Sequence, residues 1–456
     1  MNARRLIGSP ANGLIIAAPS SGSGKTLVTL GLLRHLRNLG IDVVSAKSGP
    51  DYIDPAFHEA ATGRSSRNLD PWAMRESTLG NIAGDMAANA DDIICEGVMG
   101  LFDGACLSND RFDGSTAALA EITGWPVILV IDASKQAASA AVVAKGFAEH
   151  RPFVDVVGVI FNKVGSEKHA DILTKALAQI SPELKVFGTL PRTPELTLPS
   201  RHLGLVQAAE HPDLETFLER ASTWVGEHLD ITAIRRAMRA WPVRPRDDSP
   251  TIIPPLGQRI AVAQDDAFAF CYPVVLEGWR GAGAEIELFS PLANEAPSDA
   301  ADSIYLPGGY PELHGGRIAA NWEFLDGLQR AADASKPIFG ECGGYMVLGH
   351  GLTDAEGRRH PMAGLLPLET SFATRRLHLG YRRATLAKAG PLGGARTRFR
   401  GHEFHFATVV EEGPGLPLFR IEDANGNDMG ETGLADRRVV GSFIHLIDLE
   451  TTADAY

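Results

Sequence analysis

No apolar run in this 456-residue chain approaches the roughly 20 residues needed to cross a bilayer. The first apolar stretch, residues 14–18, is too short for a signal sequence and reads as a buried strand. The expected setting is the cytoplasm, with no membrane partner. Cysteine is also scarce. Four thiols (Cys95, Cys106, Cys271 and Cys342) make neither a disulfide framework nor a CxxC metal site. That fits a reduced compartment and leaves room for one reactive cysteine. Positive charge is in deficit too: a net charge of −13 argues against nucleic acid, which needs a basic stripe. One stretch runs the other way. From Arg358 to Arg400 there are ten Lys and Arg residues against a single acid, Glu369. It reads either as a solvated face or as a landing patch for an anionic molecule or partner.

What is present is an alternation of short apolar runs and helix-like segments. Runs at 13–18, 42–46, 92–95, 127–131 and 156–161 are too apolar for one-sided strands and indicate parallel βαβ units. Between 241 and 257 the pattern fails, with Pro242, Pro245, Pro250, Pro254 and Pro255. It restarts at 259–263, 285–289, 303–306 and 337–339. A chain of this length needs more than one core. The expectation is α/β throughout: two doubly wound, mostly parallel-sheet domains, 1–240 and 258–456, joined by a Pro-rich linker at 241–257.

A phosphate loop stands where such a loop must stand. Ser21, Gly22, Ser23, Gly24, Lys25 and Thr26 follow a strand and open a helix. Glycines let backbone N–H groups turn toward an anion, and the helix N-terminus adds positive potential. Lys25 is expected to reach the outer phosphates of ATP and Thr26 to ligate Mg²⁺. The loop is a variant, because Pro19 occupies the position of the usual first glycine. Thr26, Asp51 or Asp54, and Glu96 lie at the C-terminal ends of their strands, where they can converge on a hard cation. Asn162 ends a later strand, as a base-reading Asn or as an ordinary loop amide.

A second chemistry follows the linker. Gly340-Glu341-Cys342-Gly343-Gly344 closes an apolar strand with a sharp turn that would expose the Cys342 thiol. A helix starting there is expected to lower the thiol pKa. Tyr305-Leu306-Pro307-Gly308-Gly309 supplies a second strand end, so the N–H groups of Gly309 and Gly343 are candidates for an oxyanion hole, about 3 kcal/mol per donor. His445, at the end of another apolar run, is the candidate base. This arrangement resembles the class I glutamine amidotransferases, which carry His-x-Glu. Here the Glu position holds Ile447, and on a regular strand Asp448 would face away from His445. A Cys–His dyad with a weaker or remote orienter is expected.

Taken together, DYIDPAFHEAATGRSSRNLD (51–70), EGVMGLFDG (96–104), GGYPELH (308–314), GECGG (340–344) and GHEFHF (401–406) resemble the cobyrinic or hydrogenobyrinic acid a,c-diamide synthases of the cobalamin pathway. The resemblance spans about residues 13–447. It implies ATP-, Mg²⁺- and glutamine-dependent amidation of the a- and c-acetate groups of a corrinoid tetrapyrrole, through an acyl phosphate, and it allows a homodimer. Tyr52, Arg64, Arg67 and Asp103 are then candidates for substrate contact, Asp103 equally for a turn role. His402, Glu403 and His405 divide between a site role and strand packing. Two other readings stay open: a diamide synthase acting on nickel-sirohydrochlorin, and a P-loop switch ATPase with a non-catalytic C-terminal domain.

Overall fold

The computed structural model describes residues 11–105, 113–198, 200–201, 204–241 and 252–450. Cys106 and most of the expected linker, 242–251, lie outside them. The chain forms two compact units, Met1–Trp72 with Glu76–Asp248, and Ala73–Arg75 with Ser249–Tyr456.

The first unit is built on β1 (Asn12–Ala17), β2 (Val43–Ser48), β3 (Arg67–Leu69), β4 (Asp92–Glu96), β5 (Val127–Asp132), β6 (Val156–Val164) and β7 (Lys185–Pro191). These seven are parallel, in the order β3-β2-β4-β1-β5-β6-β7. A two-residue strand, Arg239–Ala240, pairs antiparallel with the start of β1. Helices cover both faces of such a sheet, so its central strands are buried on both sides: Leu14, Ile15, Ile93, Ile94, Val127 and Ile128 are fully buried. The helix after β1, α1 (Lys25–Asn38), lays Val28, Leu32 and Leu36 into this core at helical spacing. A second helix, α2 (Ile53–Thr62), follows β2 and ends at Gly63 in the left-handed conformation. The chain leaves β1 toward β2 on one side and later returns to β5 on the other, so the C-terminal ends of β4, β1 and β5 form the switch point where such sheets bind ligands.

In the second unit a parallel set, β8 (Arg259–Ala263), β9 (Glu285–Phe289), β10 (Ser303–Leu306) and β11 (Ile338–Glu341), is joined by an antiparallel ribbon. The ribbon strands are β12 (His378–Leu386), β13 (Arg398–His405), β14 (Leu416–Glu422), β15 (Asp428–Asp436), β16 (Val439–Ser442) and β17 (Ile444–Leu449). The order is β9-β8-β10-β11-β16-β15-β14-β12-β13-β17, parallel from β9 to β16 and antiparallel beyond. A four-stranded sheet, including Gly351–Thr353 and Leu368–Ser371, stands beside it. The parallel strands are the apolar runs legible in the sequence. The ribbon adds an antiparallel half that those runs do not announce, since β12 alternates half-buried and buried residues. The core gathers Phe268, Leu306, Phe324, Ile338, Tyr345 and Phe443, and it includes Cys342.

Four cations of the basic run, Arg382, Arg383, Arg398 and Arg400, lie on strands of this ribbon, and acids pair with these and with Arg359. Arg382 pairs with Glu403, Arg383, Arg398 and Arg400 pair with Glu450, and Arg359 pairs with Glu369. The local excess of charge is therefore partly compensated, and the exposed cations of the run outside these pairs include Arg375, Arg376, Lys388 and Arg396.

Candidate active sites

In the first unit, a cavity of about 800 Å³ opens at the switch point. Its floor is the loop between β1 and α1, in which Gly22 and Gly24 hold φ of 78° and 94°. L-residues reach that region at a cost of about 1 kcal/mol or more. Gly24 is also pressed by Asn162, whose amide nitrogen would collide with any Cβ there. Asn162 Nδ2 donates to the Ser23 carbonyl at 2.9 Å, so this residue braces the loop while lining the cavity. Lys25 is buried and donates to the Met99 carbonyl; burial lowers its pKa to about 8.

All four expected cation ligands line this cavity. Thr26 Oγ1 donates to Glu96 Oε1 at 2.6 Å, and Asp54 and Asp51 line the same cavity. Asp51 Oδ1 also accepts the Ile53 amide at 2.7 Å, fixing the start of α2. Two residues without a role in the sequence reading complete the cluster. Lys47 bridges Asp54 and Glu96, 3.1 Å from the latter, and His58 Nε2 lies 2.7 Å from Glu96 Oε2. Burial opposes the charge on Glu96, but Lys47 and the His58 and Thr26 hydrogen bonds hold its pKa well below the usual range. The surplus falls on Asp54, which burial and the neighbouring Asp51 raise to about 7. Surplus carboxylate oxygens beside a hydroxyl are the donor set a hard cation takes, so these residues fit Mg²⁺.

The substrate candidates separate. Asp103 Oδ2 accepts the Gly100 amide at 2.8 Å, closing a turn whose charge reaches Lys25. Tyr52 caps α2 beside Asp51. Arg64 is not brought to this site: it binds Asp42 and the Asn89 carbonyl, beside the N-terminal ends of β2 and β4, at the opposite edge of the sheet. Arg67 begins the edge strand β3 and donates to Ser65, away from the cavity lining.

In the second unit, Cys342 takes φ 47° and ψ −101° between β11 and the helix Gly343–Leu348. A non-glycine residue there is strained, as a nucleophile elbow requires. Its amide donates to the Ser442 carbonyl at 2.8 Å, tying the elbow to β16. The glycine pair after β10 packs against both the elbow and the imidazole. A Cβ on Gly343 would lie 2.9 Å from the Gly309 amide nitrogen, and one on Gly308 would lie 2.4 Å from His445 Cε1. Both oxyanion candidates thus flank the elbow, and the imidazole packs against the next residue.

Two expectations are corrected here. The thiol pKa is raised: burial dominates, Glu312 adds to it, and a hydrogen bond from the Gly343 amide at the head of a six-residue helix does not compensate. Ionisation therefore depends on His445, itself held well below its ordinary pKa by burial and by His402 and His405, and so neutral. Second, β17 does not alternate regularly. Its pairing with β13 matches His402 with His445 and Arg400 with Asp448, skipping Ile447. The bulge puts His445 and Asp448 on the same face. The Asp448 carboxylate is engaged by Arg75, which donates its backbone amide at 2.9 Å and its guanidinium at 2.8 Å.

The histidine-rich strand is drawn in as well. His402 lies edge-on to His445 with ring centroids 5.1 Å apart, and His405 stacks on Phe443 at 3.9 Å. Glu403 joins His405 Nε2 at 2.9 Å to Arg382 at 2.7 Å. Burial works against its charge, but the interactions with His405 and with Arg382 lower its pKa to about 2.

Residues 14–206 match the CobQ/CobB/MinD/ParA nucleotide binding domain, and residues 259–452 match the CobB/CobQ-like glutamine amidotransferase domain. Along the whole chain, hydrogenobyrinate a,c-diamide synthases are similar. The protein of that name from Sinorhizobium sp is 51% identical, over 97% of this chain and all of its own length. That of Rhizobium meliloti is 52% identical over 96% and 99%, and that of Rhodobacter capsulatus 51% over 95% and 98%. With both sites assembled on the matching folds, this chain belongs to the hydrogenobyrinate a,c-diamide synthase family.

Proposed function

We propose that this chain is an ATP- and glutamine-dependent ligase that converts the a- and c-acetate carboxylates of hydrogenobyrinate to amides, in cobalamin biosynthesis. The observation that carries the reading is identity of about half along nearly the full length of synthases of that name, with both reactive sites intact. It favours the cobalt-free ring over cobyrinate and over nickel-sirohydrochlorin.

In the first unit, a substrate carboxylate oxygen attacks the γ-phosphorus of ATP. The bond to the bridging oxygen breaks, ADP leaves, and an acyl phosphate forms. The loop amides and Lys25 balance the charge that spreads over the transferred group. Thr26, Glu96 and Asp54 or Asp51 would hold Mg²⁺, which supplies charge neutralisation of the phosphates. In the second unit, Cys342 gives its proton to His445 and attacks the carboxamide carbon of glutamine, while Gly309 and Gly343 steady the oxyanion. His445 returns the proton to the departing nitrogen, ammonia leaves, and water cleaves the thioester to glutamate. Ammonia then attacks the acyl carbonyl, phosphate departs, and a proton is lost.

The test is incubation of the purified protein with hydrogenobyrinate and, separately, with cobyrinate, following each added amide by mass spectrometry. Two sequential mass steps on hydrogenobyrinate are expected. Cys342→Ala should lose the glutamine-dependent reaction and keep the reaction with concentrated ammonia at elevated pH. Loss of both in a folded variant refutes the division of labour.

A further inference from the structure

Glu341 stands immediately before the nucleophile, at the end of β11, and is buried. A buried carboxylate is costly and is normally balanced by a cation. Among the described residues no Lys or Arg pairs with it. Its hydrogen bonds come from two neutral donors: the Tyr305 hydroxyl reaches Oε2 at 2.6 Å and the Leu446 amide reaches Oε1 at 3.0 Å. The next group around it is Nδ1 of His445, 4.0 Å from Oε2. We infer that Glu341 is the positioning residue for His445: its carboxylate receives the Nδ1–H and leaves Nε2 to accept the thiol proton. This rests on the glutaminase reading above and supplies the orienter that the family's usual third position, here Ile447, cannot.

The arrangement has a physical logic. When the thiol proton moves to His445, a buried imidazolium forms, which burial, His402 and His405 all oppose. A carboxylate at Nδ1 offsets that charge and fixes the tautomer. Two donors anchor Glu341, one from β10 and one from the bulge of β17, so the carboxylate cannot turn away. A 4.0 Å separation is long for a hydrogen bond, but such contacts tighten when substrate binds.

The charge on Glu341 is poised. Burial raises its pKa to about 7, against the two hydrogen bonds. The titratable groups around it are Tyr305 on β10, Cys271 in the segment before the helix Pro273–Gly281, Cys342, and His445 on β17. The Cys271 and Tyr305 pKa values are themselves raised by burial and by Glu341, so neither carries a charge near neutrality. Positioning therefore strengthens as Glu341 ionises, and glutaminase kcat should climb through pH 7.

Glutaminase activity, ammonia-dependent synthesis and the pH profile of the full-length protein test this in Glu341→Gln and Glu341→Asp. The Gln variant should lose glutaminase kcat by roughly 100-fold with glutamine KM nearly unchanged. Its ammonia-dependent synthesis should stay normal, and the rise through pH 7 should vanish. The Asp variant, keeping the charge, should recover part of kcat and the rise. If the Gln variant does not fold, the wild-type profile decides, because a flat kcat from pH 6 to 8 overturns the assignment. A folded Gln variant with normal kcat and an unshifted profile also overturns it. Should Cys342→Ala keep glutaminase activity, the glutaminase reading itself has failed, which distinguishes the two.

Discussion

Gly308→Ala is the sharpest probe of how the imidazole is held. Gly308 does not occupy the left-handed region, so the backbone accepts alanine without strain. The added methyl, however, would sit 2.4 Å from Cε1 of His445, with Nδ1 and Nε2 each at 3.3 Å. Carbon atoms rest at about 3.5 Å, so the ring must retreat by about 1 Å. There is little room behind it. His445 is buried, the His402 ring stands edge-on to it, and Gly401 lies so close to the His445 carbonyl that a Cβ there would collide. Displacing a catalytic group by about 1 Å costs about 100-fold, and overpacking costs about 1–3 kcal/mol of stability. Glutamate release should therefore fall by about two orders of magnitude, while ammonia-dependent amidation, which needs neither thiol nor imidazole, stays within about twofold. A folded Gly308→Ala variant with a normal glutaminase rate would refute the placement of His445. Gly309→Ala is the contrasting case: its Cβ would meet the Ala267 carbonyl at 2.0 Å, backbone that cannot yield, so loss of fold is expected.

Lys25→Ala should abolish amidation with glutamine and with ammonia alike, and retain glutaminase activity; a normal ammonia-dependent rate would displace the phosphate site. Because the Asp54 pKa is raised to about 7, the cation site gains charge as pH rises, so half-saturating Mg²⁺ should fall between pH 6 and 8. A constant requirement, measured by initial rates at fixed ATP, would remove Asp54 from the ligand set. Arg382→Ala strips Glu403 of its buried partner and should cost about 3 kcal/mol in thermal or urea unfolding. Arg375→Ala/Arg376→Ala should instead leave stability alone and raise tetrapyrrole KM about fivefold at low salt, the effect fading at high salt. Unchanged KM would remove Arg375 and Arg376 as a landing patch.

Both reactive loops were legible because each is a local motif read in its context: a strand, a glycine-bearing turn, then a helix. Cys342 directly follows β11, Lys25 and Thr26 open α1 after the β1 loop, Glu96 closes β4, and His445 stands near the start of β17. Lys47 and His58 were missed although a signal existed. Asp54 and His58 are four residues apart on α2, and so share a face, with Lys47 on the strand before. Compensation of the basic run was not legible, because Glu450 meets Arg383, Arg398 and Arg400 only after the ribbon forms. Nor was the thiol pKa, which depends on burial depth. Parity arguments on β17 failed at Ile447, since a bulge is a property of two strands and leaves no mark in either alone.

That skipped residue also limits how such a chain can change length. Upstream of Ile447 the strand keeps one phase with β13, and downstream it keeps the other, so the imidazole and the carboxylate clasped by Arg75 depend on a single uncounted position. Deleting it would restore an even ladder in which His445 and Asp448 stand two residues apart and keep their common face. Inserting a neighbour without a second skipped position would instead turn His445 and Asp448 to opposite faces, so either the imidazole or the carboxylate held by Arg75 would leave its place. The exposed turn at 423–427, closed on itself by Asp423, has no such phase to keep. Residues added at that turn leave the phase of the site untouched, whereas a residue added to β17 changes it unless β13 changes with it.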